Sequence, residues 1–137
     1  AITTKKLIYL SDGNNKANRL RTLKWRTYGQ NIPIIRLAEM YLIRAEGAAR
    51  AGNFTSAAQD VNLVRARSGA SALTTVSVND VLLERQLELA FEGFRVHDLK
   101  RTGRPVGTIA ASDPRLVLPI PQREINNNSL LTQNAGY

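Results

Sequence analysis

From Pro33 to Gly69 the apolar residues recur at alternating three- and four-residue steps, broken once by a Gly-Asn pair, and few folds accommodate that pattern. Ile35, Ala38, Leu42, Ala45 and Ala49 line one face of a first helix, read from Pro33 near its first turn to Gly52 just past its end. Leu37, Met40, Tyr41 and Ala48 add apolar surface outside that stripe, so this helix should be covered on more than one side. Asn53 is placed to cap a second helix, with Phe54, Ala57, Ala58, Val61 and Val64 on one face and Gly69 as the stop. Two helices joined at Gly52-Asn53 must lie antiparallel, and the alanines at 45, 48, 49, 57 and 58 let their backbones approach closely. One such hairpin cannot bury both of its faces, so further helices must come from the rest of the chain or from sequence beyond it.

A third helix is expected from Val78 to Glu92, opened by a capping box between Ser77 and Asp80, with Val81, Leu83, Leu87, Ala90, Phe91 and Phe94 on its apolar face. Gly93 marks a bend into a shorter helical piece ending at Gly103. Beyond it, Pro105, Pro114, Pro119 and Pro121 make the remainder extended, and Leu116, Leu118 and Ile120 alternate as in a short strand. Asn126 to Tyr137 reads as a clamped polar loop. Before the hairpin, Leu7 to Leu10 form an extended piece ahead of the turn signal Asp12-Gly13-Asn14-Asn15, and a second extended piece holds Leu23, Trp25 and Thr27. The expected fold is therefore mainly α, built on helical hairpins with irregular extended N- and C-terminal segments. An apolar share of 43% suffices for a single core, and one domain over 1–137 is expected, with a lead-in at 1–32, a helical core at 33–103 and an extended tail at 104–137.

The residue inventory removes most chemistry. Cysteine is absent, and the single histidine, His97, has no second soft ligand to complete a zinc site, so no metal is expected and His97 is read as a helix-surface or hydrogen-bonding residue. No Gly-x-Ser-x-Gly elbow and no Gly-rich loop ending in Lys and Ser/Thr is present, which disposes of serine-hydrolase and nucleotide-hydrolase readings and leaves no cofactor expected. Glu84, Glu88, Glu92 and Asp98 offer the carboxylates that glycoside hydrolysis needs. Each has an arginine within helical reach, with Arg85, Arg95 and Arg101 nearest, so a structural ion-pair network is the preferred reading and no catalytic residue is expected. Arg36 with Glu39, and Arg95 with Asp98, are read as further intramolecular pairs. The net charge of +8 invites a nucleic-acid reading, but the basic residues are scattered and no aromatics interleave with them as a stacking platform requires, so no nucleic-acid partner is expected. No apolar run approaches the roughly 20 residues of a membrane-spanning helix. No leader-like pattern stands at Ala1, so the segment reads as mature, internal or stripped of its address signal, and its abrupt polar opening suggests a piece of something longer.

The Gly52-Asn53 hairpin resembles a tetratricopeptide unit, a helix pair about 34 residues long. More specifically, the run Arg36-Leu-Ala-Glu-Met-Tyr-Leu-Ile-Arg-Ala-Glu46, then Gly52-Asn53, then Val61-Asn-Leu-Val-Arg-Ala-Arg67 resembles the SusD/RagB family of outer-membrane lipoproteins. Three further blocks agree in order and spacing: Glu84-Arg-Gln-Leu-Glu-Leu-Ala-Phe-Glu-Gly-Phe-Arg95 with Asp98, Leu99 and Arg101; Leu118-Pro-Ile-Pro-Gln-Arg-Glu124; and Thr132-Gln-Asn134 with Gly136-Tyr137. The resemblance covers residues 24 to 137 and the C-terminal portion of the family, with Ala135 standing where proline is usual.

What the resemblance implies is a non-enzymatic protein with tetratricopeptide-like helix pairs on the extracellular face of the outer membrane. It would be held by an N-terminal lipid anchor absent from this chain, capture oligosaccharides, polysaccharides or other nutrient oligomers, and deliver them to a SusC-like TonB-dependent porter. Sugar capture uses aromatic faces and amide hydrogen bonds, so Trp25, Tyr28 and Asn31 are the candidate ligand-binding residues, against the plainer reading that Trp25 packs on the helices. The alternative from another class is a helical-repeat interaction scaffold whose ligand is a protein.

Overall fold

The computed structural model describes residues 8–10, 20–22, 24, 29 and 31–137. Its elements are two short strands, β1 (Ile8–Leu10) and β2 (Leu20–Thr22), and five helices, α1 (Leu37–Arg50), α2 (Phe54–Arg67), α3 (Val78–Glu88), α4 (Phe94–Arg101) and α5 (Gln122–Asn127), with a 3-10 turn at Pro114–Leu116. The fold is mainly α. The strands pair antiparallel, Ile8 opposite Thr22 and Leu10 opposite Leu20, so the second extended piece begins nearer the turn signal than expected. That turn signal, Leu23, Trp25 and Thr27 lie outside the described residues. Two compact units divide the chain, Ala1–Phe94 and Arg95–Tyr137.

In the first unit α1 and α2 form the expected antiparallel hairpin. Asn53 accepts a hydrogen bond from the Ser56 amide at 3.2 Å, satisfying one of the four amides that a helix start leaves open. At both helix ends a glycine with positive φ turns the chain so that two amides fold back. Gly52 donates to the Ala49 carbonyl and Asn53 to Ala48; Gly69 donates to Ala66 and Ala70 to Arg65. The core is made of Ala38, Leu42, Ala45 and Ala49 from α1, Ala57, Ala58, Val61 and Val64 from α2, Val76 from the following loop and Val81 from α3. So many alanines in a core mean that the helices pack close and little apolar volume lies between them. Deep in this region Asp60 is buried and receives both Nε and a terminal nitrogen of Arg44, at 2.7 and 2.6 Å, while the same guanidinium lies 5.5 Å from the centre of the Tyr41 ring.

Three expectations for this unit are corrected. The first helix starts at Leu37, not near Pro33, because Arg36 is held in an extended conformation by ion pairs described below; Ile35, assigned to the core face, is 71% exposed. Phe54 is exposed at the start of α2 and contributes nothing to the core. The third helix stops at Glu88, and its buried face is Val81, Leu82, Arg85, Glu88 and Leu89, whereas Leu83 and Phe91 are exposed. The charged residues took the inward face because their partners lie there. The capping box forms as expected, Ser77 and Asp80 exchanging bonds at 3.3 and 2.8 Å. Between α3 and α4 Phe91 has φ 66, a left-handed conformation that is strained for a bulky residue.

The second unit is held by polar contacts more than by apolar ones. In α4 the buried Asp98 accepts from Arg101 Nε at 2.8 Å, and the Thr102 hydroxyl donates to the Asp98 carbonyl at 2.7 Å. Arg95 therefore is not the partner Asp98 takes. His97 is exposed on α4. The Lys100 ammonium donates to the Leu116 carbonyl. The anticipated strand through Leu116 and Ile120 is replaced by the 3-10 turn and by a short helix, α5, entered at Pro121. The polar tail does clamp. The Gln133 side chain both accepts from the Ile120 amide at 2.8 Å and donates to the Ile120 carbonyl at 2.9 Å, and the Asn134 side chain donates to the Leu118 carbonyl at 2.7 Å. The motif blocks at 118–124 and 132–134 thus meet.

Candidate functional site

Of the three residues singled out for ligand contact, Trp25 and Tyr28 lie outside the described residues, and Asn31 is described and exposed. The described residues do not bring these three together. What they do assemble is a charged junction at the C-terminal end of α3. A helix end leaves carbonyls without partners and carries a partial negative charge, so it attracts cations. Two arrive from before α1. Lys24 donates to the Glu88 carbonyl at 2.7 Å, to the Ala90 carbonyl at 2.9 Å and to Glu92 Oε1 at 2.5 Å. Arg36 donates to Glu88 Oε1 at 2.6 Å, to the Glu88 carbonyl at 3.0 Å, and to Glu92 through Nε at 3.1 Å and a terminal nitrogen at 2.9 Å. A third cation, Arg67 at the end of α2, reaches the other Glu88 oxygen at 2.5 Å.

Burial pulls the Arg36 pKa down, but the hydrogen bonds to Glu88 and Glu92 and the charges of both carboxylates outweigh it and raise it above the usual guanidinium value. The group stays charged, as its role requires. One turn earlier on α3, Arg65 bridges Glu84 at 2.8 Å and the Ser71 carbonyl at 2.8 Å, tying the end of α2 to the loop that leads into α3. Arg85, buried on the same helix, lies 3.7 Å from Glu39 of α1. The carboxylates of Glu84, Glu88 and Glu92 are thus each engaged by cations, but their partners, Arg65, Arg36, Arg67 and Lys24, come from other elements rather than from the same helix, whereas Asp98 takes a helical neighbour as expected, Arg101 on α4. Likewise Arg36 turns to Glu88 and Glu92 across the fold, leaving Glu39 to Arg85. Carboxylates held by fixed cations lack the freedom of a nucleophile, so this arrangement fastens elements together. Spacing could not have found the Lys24 and Arg36 contacts, since these partners lie 52 to 68 residues apart.

Among the described residues no cluster of three or more potential ligands could hold a metal ion, and no helix is long and apolar enough to cross a membrane.

The alanine-lined helical hairpin and the third helix locked to it both lie within residues 5–115, the stretch matched by the SusD family model, and the chain belongs to that family. Among its relatives, the starch-binding protein SusD of Bacteroides thetaiotaomicron is 33% identical over 86% of this chain. A laminarin-binding SusD-like protein of known structure is 36% identical over 79% of the chain, with a TM-score of 0.67. Surface glycan-binding protein A from Bacteroides uniformis is 26% identical over 94% of the chain, with a TM-score of 0.73. The chain spans only part of each: 26% of the first, 23% of the second and 36% of the third.

Proposed function

We propose that residues 1–137 form a single domain, the C-terminal part of a cell-surface protein that captures glycans or other nutrient oligomers without chemically altering them. The captured material passes to a SusC-like TonB-dependent porter, and the protein sits on the extracellular face of the outer membrane through an N-terminal lipid anchor outside this chain. One observation carries the reading: the chain is a family member over most of its length, and three relatives it matches over three quarters or more of that length are named for binding starch, laminarin and surface glycan. The carboxylates held by fixed cations agree with capture by shape and contact, since their oxygens are taken up in fastening the helices. Trp25, Tyr28 and Asn31 are proposed as ligand contacts on chemical grounds, an aromatic face for the sugar ring and an amide for its hydroxyls.

The test is affinity electrophoresis of the full-length protein through gels containing starch, laminarin or other soluble glycans, paired with co-purification of the porter from the native membrane. Retardation by at least one glycan and recovery of a TonB-dependent porter are expected; failure of both overturns the proposal. Trp25→Ala and Tyr28→Ala should weaken retardation while leaving the helical circular dichroism unchanged. If neither does so, the contacts lie elsewhere.

A further inference from the structure

The carboxylates of this chain face inward and its cations outward. Among the described residues Glu39, Glu46, Asp60, Glu84, Glu88 and Asp98 are buried, and Glu124 is the one carboxylate that is exposed. Arg44, Arg50 and Arg67 in the first unit, and Arg95, Lys100, Arg101, Arg115 and Arg123 in the second, are exposed. In the second unit the cations at 95, 100, 101, 104, 115 and 123 outnumber the acids at 98, 113 and 124 by two to one. Each of those acids already holds an arginine: Asp98 holds Arg101, Asp113 holds Arg115 and Glu124 holds Arg123.

Helix α4 concentrates the excess. It exposes Arg95, His97, Lys100 and Arg101, while its only acid, Asp98, is buried. Lys100 and Arg101 stand in the last turn, where a helix end attracts cations, so folding alone accounts for them. Arg95 stands in the first turn, where the open amides carry partial positive charge, and no acid there offsets it. A cation at that position works against the helix, and a local rule broken without gain to the fold marks a residue kept for function. The Lys100 ammonium donates to the Leu116 carbonyl, an uncharged partner that leaves its charge standing.

We infer, on the reading that the protein captures glycans, that the captured glycan is polyanionic and that its carboxylate or sulfate groups meet Arg95, His97, Lys100 and Arg101 on α4. A neutral glucan gains nothing from a positive helix. Acidic groups repeating along a polysaccharide accept charge-assisted hydrogen bonds from guanidinium and ammonium donors. A nucleic acid fits the charge but not the surface: α4 carries neither tyrosine nor tryptophan, and Phe94 is half-buried, so bases have nothing to stack on.

Full-length protein is titrated with polygalacturonate and its methyl ester, and with dextran sulfate and dextran, at about 0.15 M salt. Each pair shares a backbone and differs in charge. Binding about tenfold tighter or more to the charged member of one pair is expected, polygalacturonate naming carboxylate and dextran sulfate naming sulfate. Arg95→Gln with Lys100→Gln should lower that affinity about fivefold or more, whereas Arg50→Gln with Arg123→Gln, an equal loss of charge elsewhere, should cost about twofold or less. Arg95→Gln alone should leave the urea midpoint unchanged or raise it, since the helix loses a cation from its first turn; a lower midpoint assigns Arg95 to the fold and overturns the inference. Equal affinity within both pairs, equal losses for the two double variants, or duplex DNA bound as tightly as the charged glycan also overturns it. Binding to starch or laminarin alone does so while capture stands, and binding to no glycan removes both.

Discussion

Glu88 offers the sharpest test of how the three-helix frame is held, because its two oxygens face cations in different surroundings. The Arg36 side chain is 20% exposed and the Arg67 side chain 58%, while Glu88 itself is 6% exposed. A charge-assisted hydrogen bond shielded from water is worth about 1.5–3 kcal/mol, whereas an ion pair whose cation is mostly in solvent is worth about 0.2–1 kcal/mol. Distance alone would rank the two pairs the other way, since Arg67 is the nearer at 2.5 Å against 2.6 Å. Two double-mutant cycles separate the arguments, one combining Glu88→Gln with Arg36→Met and the other combining it with Arg67→Met. Glutamine keeps the shape and one acceptor, and methionine keeps much of the aliphatic stem, so each cycle isolates the charged contact. Urea unfolding of the purified protein should give a larger coupling energy for Arg36. A difference of about 1.5 kcal/mol corresponds to roughly 0.75 M in midpoint for a denaturant slope of about 2 kcal/mol/M. Salt should erode the Arg67 coupling more than that of Arg36. Equal couplings, or a larger one for Arg67, would refute the claim that solvent exposure governs this junction.

Leu42 is fully buried among alanines that cannot move in to fill a hole, so Leu42→Ala should cost about 2–5 kcal/mol, read by the urea midpoint. Ser77→Ala removes the hydroxyl whose hydrogen bond, with that of the Ser77 amide, holds the Asp80 pKa below the usual carboxylate value. Because the folded pKa is depressed, the stabilisation is present above the unfolded value and is lost as pH falls through the folded one; in the variant the Asp80 titration followed by NMR should move upward, and the acid loss of stability should be smaller and complete at a higher pH. The Asp113 carboxyl, held at about 2 by hydrogen bonds from the Arg115 side chain and amide, should titrate higher, though still below its ordinary value, once Arg115 is replaced by alanine, because the amide still donates. Gln133→Ala deletes both bonds to the Ile120 backbone, and the Ile120 amide should then exchange with deuterium about tenfold faster or more.

What the sequence made legible was whatever depends on neighbours along the chain. Asn53 before a helix, Ser77 three residues ahead of Asp80 and glycines at 52 and 69 act through contacts within a turn, and each does what its position implies. The α1–α2 interface followed from alanine spacing for the same reason. Tertiary charge pairing was not legible, because spacing offers Arg36 the nearby Glu39 while the fold offers it two carboxylates at the end of α3. That one contact accounts for two misreadings: it keeps Arg36 extended, so the helix begins late, and it draws Glu88 inward, so the apolar face of α3 is rotated from the one periodicity suggests. Helix α5 was hidden by the prolines before it and by asparagines of low helix propensity. The candidate ligand contacts rested on side-chain chemistry alone, and of them only Asn31 falls among the described residues.

Lys24 and Arg36 grip the far end of α3 from 64 and 52 residues away, so the polypeptide ahead of α1 finishes a helix that comes much later in the chain. Such a bond cannot form until the ribosome has released everything through Glu92 and the ammonium and guanidinium can find their carbonyls. Loss of Lys24 should accordingly be felt as fraying near Glu88 rather than near residue 24 itself. Boundaries for expressing this region are best drawn upstream of residue 24.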